Sequence, residues 1–379
     1  MNPRTDPPGA SGPRARDLGI DCQGTPGPWN AITDVPGVEV GYATLITGDG
    51  PLVAGEGPVR TGVTAVLPLG RDQTGRSVPA GWHSFNGNGE MTGTAWLEET
   101  GALSLPVGIT NTHAVGAVHR GIIEWAVQAN PALAQRWHLP VVAETWDGYL
   151  NDINGRHVAP ETAMLALDNA SSGPLAEGSV GGGTGMNCYA FKGGTGTSSR
   201  VVTAAGRACT IGVLTQANFG ARRELVIAGH RAGELLAGDN PMEDTDWLAP
   251  PGAGSCICIV ATDAPLLPGQ CKALARRVPL GLGRTGTTGS HFSGDLFLAF
   301  STANAGMLDS SIDKQDAAGR LPVIEFLPWG ELDPLYEAVV QAVEESVLNV
   351  LAASRTMTGR DGHRSPGFPV HRLPELLGK

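Results

Sequence analysis

The sequence has too little positive charge for a nucleic-acid-binding protein, and it lacks the long apolar runs of a membrane-spanning protein. Its 379 residues include 26 Lys and Arg against 37 Asp and Glu, which gives a formal net charge of −11. A nucleic-acid site needs a basic face and an anionic membrane attracts cationic segments, so we expect neither partner. No apolar run reaches the length of about 18 residues that a membrane-spanning helix needs, and the first residues do not resemble a secretory signal.

Cysteine is also scarce, and its spacing does not indicate a metal site. None of the six cysteines is paired at the two-residue gap of a zinc knuckle. Cys256 and Cys258 alternate within an apolar run, so they are predicted to face one side of a strand. Buried, reduced thiols are the preferred interpretation, which fits a cytoplasmic location and leaves a periplasmic one open.

Three common catalytic motifs are missing. The sequence has no phosphate-binding loop that ends in Gly-Lys-Ser/Thr, no Gly-x-Ser-x-Gly elbow and no His-Glu-x-x-His pair. Residues 281–286 match the glycine pattern of dinucleotide sites, but a helix-like segment precedes them and another loop follows. That pattern needs a strand before it and a helix after it, so we predict neither a dinucleotide site nor any metal or cofactor.

Glycine is abundant, with 54 residues, and it is concentrated in particular loops. Three clusters rich in Gly, Asn and Thr cover residues 85–93, 181–186 and 191–200. Such loops can present backbone N–H groups to an anion or a carbonyl oxygen, and they can equally be tight turns. Three of them in one chain favour a binding cleft without identifying its ligand.

The apolar pattern predicts one layered α/β domain. Strands are expected at residues 31–35, 38–42, 64–68, 210–214, 255–262 and 296–301, the last three almost continuously apolar as buried strands are. Helices are expected at 116–128, 222–236, 268–277 and 335–353, the last with Asp333 as N-cap and Pro334 in the first turn. Residues 1–17 read as a loose arm and 18–379 as the single domain.

One segment has the composition of a linker. Residues 236–254 are acidic and then rich in Pro and Gly, and they stop at the buried strand that begins with Ser255. From composition alone this is an ordinary surface loop. A chain that must be cut beside its nucleophile would show the same pattern.

Several separated blocks resemble one family. Gly254-Ser255 before the apolar strand, residues 261–266 after it, and residues 293–304 resemble the L-aminopeptidase D-Ala-esterase/amidase family, which includes the bacterial β-aminopeptidases. Further blocks match in the same order, at residues 30–35, 85–93, 109–113, 144–148, 150–155, 181–186, 191–200 and 216–218. The resemblance extends from about residue 14 to the end and implies a four-layer αββα sandwich. It also implies self-cleavage into two chains that stay together, oligomers of that cleaved heterodimer, and no metal or cofactor.

The resemblance implies that Ser255 is the nucleophile. Cleavage between Gly254 and Ser255 would give chains 1–254 and 255–379 and free an amine whose ordinary pKa is about 7.7–8.0. That amine can take the hydroxyl proton, as in the threonine–amine pair of other hydrolases. Ser293 would hydrogen-bond the Ser255 hydroxyl, and Asp295 would orient Ser293 and hold the Ser255 ammonium. Taken alone, Ser293-Gly294-Asp295 predicts a turn.

The remaining site residues also follow from the resemblance. Asn218 matches the amide that helps form an oxyanion hole, and Glu144 the acid that receives the free amine of the substrate. Trp146 stands where some relatives carry Tyr, and because indole cannot act as acid or base near neutral pH, it is expected to shape the pocket wall.

The implied activity is removal of N-terminal residues from short peptides, amides or esters through an acyl-enzyme on Ser255. Whether the first residue is an L-α-, a D- or a β-amino acid is left open. One alternative is an acyltransferase, because ornithine acetyltransferases share the architecture and the self-cleavage. They use Thr as nucleophile, so Ser255 favours the hydrolase. The other alternative is a catalytically silent binding protein that stays uncut.

Overall fold

The computed structural model describes residues 12–243, 252–309 and 321–378. Its strands are β1 (Glu39–Thr47), β2 (Val59–Leu67), β3 (Val78–Ser84), β4 (Ala102–Leu103), β5 (Val107–Asn111), β6 (Val142–Thr145), β7 (Asn187–Cys188), β8 (Phe191–Lys192), β9 (Gly194–Ala204), β10 (Arg207–Asn218), β11 (Gly254–Thr262), β12 (Ser293–Ser301), β13 (Met357–Thr358) and β14 (Arg364–Ser365). Its α-helices are α1 (Thr94–Thr100), α2 (Val115–Ala129), α3 (Pro160–Asp168), α4 (Ala232–Leu235), α5 (Pro268–Ala275), α6 (Val278–Arg284), α7 (Asp333–Ala353) and α8 (Leu373–Leu376).

Two stacked sheets form the centre of the molecule. One has the strand order β1-β2-β5-β6 and the other the order β4-β3-β12-β11-β10-β9. Apolar side chains from both sheets, among them Val66, Ile109, Leu214, Ile257 and Leu298, belong to a single buried cluster. Burial of this cluster holds the two sheets face to face.

Helices cover the outer face of each sheet. Trp125 of α2 and Leu167 of α3 pack in one cluster with Val63 of β2. On the other side of the molecule, Val343 of α7 packs in one cluster with Phe297 of β12. The layers therefore run helix, sheet, sheet, helix, which confirms the predicted αββα sandwich.

Side chains along β11 alternate between two faces. Ile257 and Ile259 lie in the cluster between the sheets, whereas Cys256 and Cys258 lie in the cluster under the helices. The prediction that the two cysteines share one side is confirmed. The same alternation places Ser255 on the face that looks toward the other sheet.

Two predicted elements are wrong. Residues 31–35 are not a strand, because the Asp34 carboxylate accepts the N–H groups of Trp29 and Ala31 and closes the 3-10 turn Ile32–Asp34. Residues 222–236 are not one helix. The 3-10 turn Arg222–Glu224 ends at Leu225, whose ψ is 121°, and left-handed φ angles at Ala228 and Gly229, of 48° and 82°, separate it from the short helix α4.

Smaller differences concern helix α7, strand β12 and the N-terminal arm. Asp333 is the first residue of α7 rather than its cap, and residues 293–295 open β12 instead of forming a turn. The end of the predicted loose arm is packed: Ala15 is fully buried, and Arg14 forms an ion pair with Glu177 at 2.8 Å. Residues 1–11 and, in the linker-like segment, residues 244–251 lie outside the described residues.

Candidate active site

Strands β10 and β11 bring two predicted site residues face to face. They pair antiparallel, and Asn218 at the end of β10 stands directly opposite Ser255 near the start of β11. The two residues are 5% and 2% exposed, respectively. Cβ atoms of directly opposed residues in such a pair are about 4.5–5.5 Å apart, so the amide and the hydroxyl are neighbours.

Gly254 precedes Ser255 where a side chain does not fit. A Cβ atom built on Gly254 overlaps the carbonyl oxygen of Asn218. The Gly254 N–H donates to the carbonyl of Phe292 at 3.1 Å, which fixes the peptide before Ser255 on its other side. Only glycine lets β11 start at this distance from β10.

We expect Gly254→Ala to slow self-cleavage by about tenfold or more, because overpacking of a tight backbone contact costs about 1–3 kcal/mol. The measurement is the half-time for conversion of the full-length chain into two bands on a denaturing gel. Gly238→Ala is the matched control, since a Cβ there meets nothing within 4 Å. Equal half-times for the Gly254 variant and the wild type would contradict this reading of the contact.

Glu144 reaches the same region from the other sheet. Strands β5 and β6 run parallel, so their carboxyl ends lie at one edge, with Thr112 just after β5 and Glu144 near the end of β6. The carboxylate of Glu144 accepts hydrogen bonds from the Thr112 hydroxyl and from the Glu90 N–H, the latter at 2.9 Å. Burial raises the pKa of Glu144, and these two donors oppose the shift.

The first glycine cluster lies between Glu144 and strand β12. A Cβ on Gly294 would come within 2.7 Å of the carbonyl carbon of Asn88, and a Cβ on Gly89 would meet Glu144 at 3.3 Å. The loop therefore uses its glycines to pass closely over β12 and to deliver the Glu90 N–H. The backbone N–H group that this loop presents is thus bonded to the Glu144 carboxylate.

One cavity of about 860 Å³ joins these residues. Of the predicted site residues, it is lined by Glu144, Trp146, Asn218, Gly254 and Ser255. The other lining side chains include Asn88, Thr112, Tyr149, Asn187, Phe219 and Phe292. A buried carboxylate, an amide and a hydroxyl thus converge on a largely apolar cavity, as substrate sites do.

Hydrogen bonds fix the orientation of the Asn218 amide. Its Oδ1 accepts the backbone N–H of Asn187 at 2.8 Å, and its Nδ2 donates to the Trp146 carbonyl at 3.0 Å. An N–H needs an acceptor and a carbonyl needs a donor, so the amide cannot be flipped. Nδ2 carries a second hydrogen, which makes Asn218 suitable as a donor to an oxygen in the cavity.

Ser293 and Asp295 lie beside the cavity but are not among its lining residues. Alternation along β12 places them on the face of Phe297, under the helices. Ser293 Oγ donates to Asp295 Oδ1 at 2.6 Å, and Asn86 Nδ2 donates to Asp295 Oδ2 at 2.8 Å. Burial raises the pKa of Asp295, while Ser293, Asn86 and the Cys256 N–H lower it.

The expected bond between Ser293 and Ser255 is therefore not present in the single-chain form. Among the described residues no hydrogen bond joins these two side chains, because Ser293 donates to Asp295 instead. The expected contact between Asp295 and Ser293 is present.

Comparison with known proteins decides the family. The model of peptidase family S58 matches residues 30–365. The chain belongs to this family. It is 51% identical to beta-peptidyl aminopeptidase BapA of Sphingosinicella microcystinivorans, over 98% of this chain and 93% of that protein. It is 46% identical to the protein of the same name from Sphingosinicella xenopeptidilytica, over 97% and 91%.

Solved structures agree with this assignment. The L-aminopeptidase D-Ala-esterase/amidase of Ochrobactrum anthropi superposes with a TM-score of 0.88 at 45% identity, covering 97% of this chain and 98% of that chain. A β-aminopeptidase of Burkholderia sp. gives 0.85 at 42% identity, covering 96% and 98%. This member of family S58 is accordingly a serine aminopeptidase with the N-terminal-nucleophile hydrolase fold, and the acyltransferase alternative is not favoured.

The sequence did not reveal the groups that hold the site residues of this S58 chain in place. Thr112 and the Glu90 N–H fix Glu144, Asn86 fixes Asp295, and the Asn187 N–H fixes Asn218. Asn86, Glu90 and Thr112 lie inside blocks that match the family. The family match was therefore the sequence signal for these residues, and no individual residue indicated its role.

Within the described ranges, no three His, Cys, Asp or Glu side chains are grouped so that they could hold a metal ion. In the same residues, no helix is both long and apolar enough to cross a membrane.

Proposed function

We propose that this aminopeptidase cuts itself before Ser255 and then uses Ser255 to remove the first residue from short peptides, amides and esters. The convergence of Ser255, Asn218 and Glu144 on one cavity carries the proposal. These residues supply a nucleophile, an oxyanion donor and an anion for the substrate amine. They come from two strands of one sheet and one strand of the other.

Self-cleavage begins with attack of the Ser255 hydroxyl on the carbonyl carbon of Gly254. The C–N bond breaks, the Ser255 nitrogen takes the hydroxyl proton, and Gly254 becomes an ester of Ser255. Water hydrolyses the ester, which releases residues 1–254 with a carboxylate and leaves Ser255 with a free amine. The freed amine, which is partly neutral near pH 7, is the base that a serine hydroxyl needs.

Substrate hydrolysis repeats this chemistry in trans. The Ser255 amine takes the hydroxyl proton, Oγ attacks the substrate carbonyl, and the oxyanion accepts a hydrogen bond from Asn218 Nδ2. The leaving amine or alcohol takes the proton from the Ser255 ammonium, and an acyl-enzyme remains. Water, activated by the same amine, then attacks the ester and releases the acid.

Asp295 is proposed to hold the Ser255 ammonium after cleavage. It stands opposite Cys256 in the parallel pairing of β11 with β12, so its carboxylate lies next to the backbone that becomes the new chain start. A cation there would compensate the burial that raises the Asp295 pKa. Ser293 donates a hydrogen bond to this carboxylate in the uncut chain. Once the new amine pairs with Asp295, Ser293 would be able to hydrogen-bond the Ser255 hydroxyl instead.

Glu144 is proposed to receive the free amine of the substrate. Glu144 is 2% exposed and lines the cavity, where a cation can pair with its carboxylate. A blocked amine would leave this buried carboxylate without a cation to balance its charge, which explains why an exopeptidase would result. Ionised Glu144 is present only above its raised pKa, so affinity for the substrate amine should fall as the pH falls through it.

Glu144→Gln is expected to weaken the binding of free-amine substrates by about 1.5–3 kcal/mol, because one charge-assisted hydrogen bond is lost. This corresponds to a rise in KM of about 10- to 150-fold. Self-cleavage should be unchanged, since it involves no substrate amine. Steady-state kinetics on L-Ala p-nitroanilide, together with the gel assay, measure both. A variant that keeps the wild-type preference for free over acetylated substrates would show that another group reads the amine.

The head group is proposed to be a β-amino acid. Both curated relatives are named beta-peptidyl aminopeptidases and share about half of their residues with this chain. Trp146 lies two residues after Glu144 in the sequence and also lines the cavity, and it is proposed to limit the shape of the accepted head group. Trp146→Leu should therefore change substrate choice more than processing.

A panel of p-nitroanilides with β-Ala, L-Ala and D-Ala heads, each free and N-acetylated, tests the activity. We expect the free β-Ala compound to give the highest kcat/KM and the acetylated compounds to give none. A higher value for L-Ala would reverse the head-group proposal alone. Equal hydrolysis of acetylated and free compounds would make the enzyme an amidase.

Cleavage, assembly and location complete the proposal. Residues 18–379 would form one domain cut into chains 1–254 and 255–379, assembled as oligomers of that heterodimer in the cytoplasm. A denaturing gel separates this from the silent binding protein, which would show one band instead of two. Size exclusion of the cleaved enzyme measures the assembly.

A further inference from the structure

A buried lysine stands behind the oxyanion donor. Lys192 in β8 is fully buried, and its Nζ donates to the carbonyls of Met186 at 2.7 Å, Gly193 at 2.9 Å and Gly183 at 3.5 Å. A buried ammonium is costly unless it is bonded, so three carbonyl partners around one cation are a built site. The reaction steps above do not use it.

The shortest of these bonds leads to Asn218. The Met186 carbonyl and the Asn187 N–H belong to one peptide group and point in opposite directions across it. The ammonium of Lys192 lies at the carbonyl end, and Asn218 Oδ1 accepts the N–H at the other end, at 2.8 Å. Lys192, the peptide group and the Asn218 amide therefore form one continuous chain of hydrogen bonds that ends at Nδ2 in the cavity.

We propose that Lys192 is a positioning residue that strengthens the oxyanion hole by polarising the Asn218 amide through the Met186–Asn187 peptide. Hydrogen bonds in a chain polarise one another, and a cation at one end draws electron density away from the other. The N–H of Asn218 becomes a better donor to a developing negative charge. The inference rests on the proposed role of Asn218 in the oxyanion hole.

The charge of Lys192 is sensitive to pH near neutrality. Burial lowers its pKa to about 7, and the carboxylate of the nearby Asp147 acts in the opposite direction. Burial also raises the pKa of Asp147 to about 7 and that of the Cys188 thiol, so Cys188 is neutral throughout the working range. Lys192 is charged below its pKa, and the polarisation should fade as the pH rises through it.

Lys192→Met tests the proposal with little structural disturbance. Each of the three carbonyls keeps a donor without the lysine: Gly193 N–H at 2.8 Å for Met186, Ser354 Oγ at 2.9 Å for Gly193, and Met186 N–H at 3.3 Å for Gly183. Methionine fills similar space without charge.

We expect the kcat for β-Ala p-nitroanilide, normalised to the cleaved fraction, to fall about three- to eightfold near pH 6 with KM unchanged. This is a fraction of the 10²–10³ that a whole oxyanion donor contributes. The difference from wild type should shrink as the pH rises through the lowered pKa of Lys192. A loss of the same factor at every pH would indicate a structural role, and no loss at any pH would also overturn the proposal.

Two controls keep the result interpretable. Ser354→Ala removes a hydrogen bond to the Gly193 carbonyl, on the branch that does not lead to Asn218, and should leave the pH profile of kcat unchanged. In the wild type, the rise of kcat that the Ser255 amine should produce between about pH 7 and pH 9 is expected to be partly offset by the loss of charge on Lys192. A wild-type kcat that rises over this range by the full factor expected from deprotonation of the Ser255 amine, with no offset, would overturn the proposal even if Lys192→Met failed to fold.

Asn218→Ala separates this inference from the proposed function. If that variant keeps the wild-type kcat, Asn218 is not the oxyanion donor and both proposals fail. If it loses activity while Lys192→Met keeps the wild-type kcat and pH profile, only the part assigned to Lys192 is wrong.

Discussion

Ser255→Ala is expected to remain a single chain and to lose hydrolysis by a factor on the order of 10⁶, the loss typical when a catalytic serine is removed. The same hydroxyl attacks the Gly254 carbonyl during processing and the substrate carbonyl afterwards. Alanine occupies less space than serine and introduces no polar atom, so the buried start of β11 should fold unchanged. The loss then reports chemistry rather than stability.

Denaturing gels, N-terminal sequencing and an activity assay check this expectation. The smaller wild-type fragment should begin at Ser255, and the Ala variant should give one band. Ser255→Cys is the matched control, because a thiol can attack a carbonyl in the same position, and it should still give two bands. A fragment that begins elsewhere, or an Ala variant that is cut, would assign the nucleophile to another residue.

The fold followed from the sequence where apolar patterning was strong. The run after Ser255 predicted a buried strand at 255–262, and β11 covers Gly254–Thr262 with the expected alternation of Cys256 and Cys258. The prediction failed at residues 222–236, where the residue spacing is that of a helix but tertiary contacts determine the conformation. The Arg222 guanidinium there donates to carbonyls of distant loops, including Tyr189 and Ala190, and such tertiary contacts override local propensity.

The candidate site could not have been assembled from residue patterns alone. Ser255 and Asn218 become neighbours only through the register of β10 with β11, and Glu144 joins them from a separate sheet. Local residue spacing predicts neither the register between distant segments nor the stacking of two sheets. The family resemblance supplied these residues because it compares whole chains.

Local sequence patterns also failed to predict the conformation of Ser293-Gly294-Asp295. Small and acidic residues around a glycine predict a turn, yet they open β12 because Gly294 lets the Asn88–Gly89 backbone pass over the strand. Once the segment is a strand, alternation decides that Ser293 and Asp295 face Cys256 rather than the cavity. The alternation of the strand determines which side chains contact each other, and a prediction of a turn could not have identified those contacts.

Asn218→Ala is expected to reduce kcat by about 10²–10³, equivalent to about 2.7–4 kcal/mol, with a small change in KM. The amide donates to an oxygen that carries full negative charge only in the transition state, so its loss should appear in the chemical step. Processing passes through a similar oxyanion on the Gly254 carbonyl, and it should slow as well. Rates per cleaved chain, measured after long incubation, separate the two effects.

The matched controls for Asn218 come from the same side-chain type and the same position. Asn169→Ala removes an exposed amide that donates to the Tyr42 carbonyl and does not line the cavity, so its kinetics should equal those of the wild type. Asn218→Asp keeps the acceptor for the Asn187 N–H but puts a carboxylate oxygen where Nδ2 donates. A negative charge beside a developing oxyanion should cost more than the alanine change. If Asn218→Ala raised KM and left kcat intact, the amide would bind the ground state, and the oxyanion donor would have to be a backbone N–H instead.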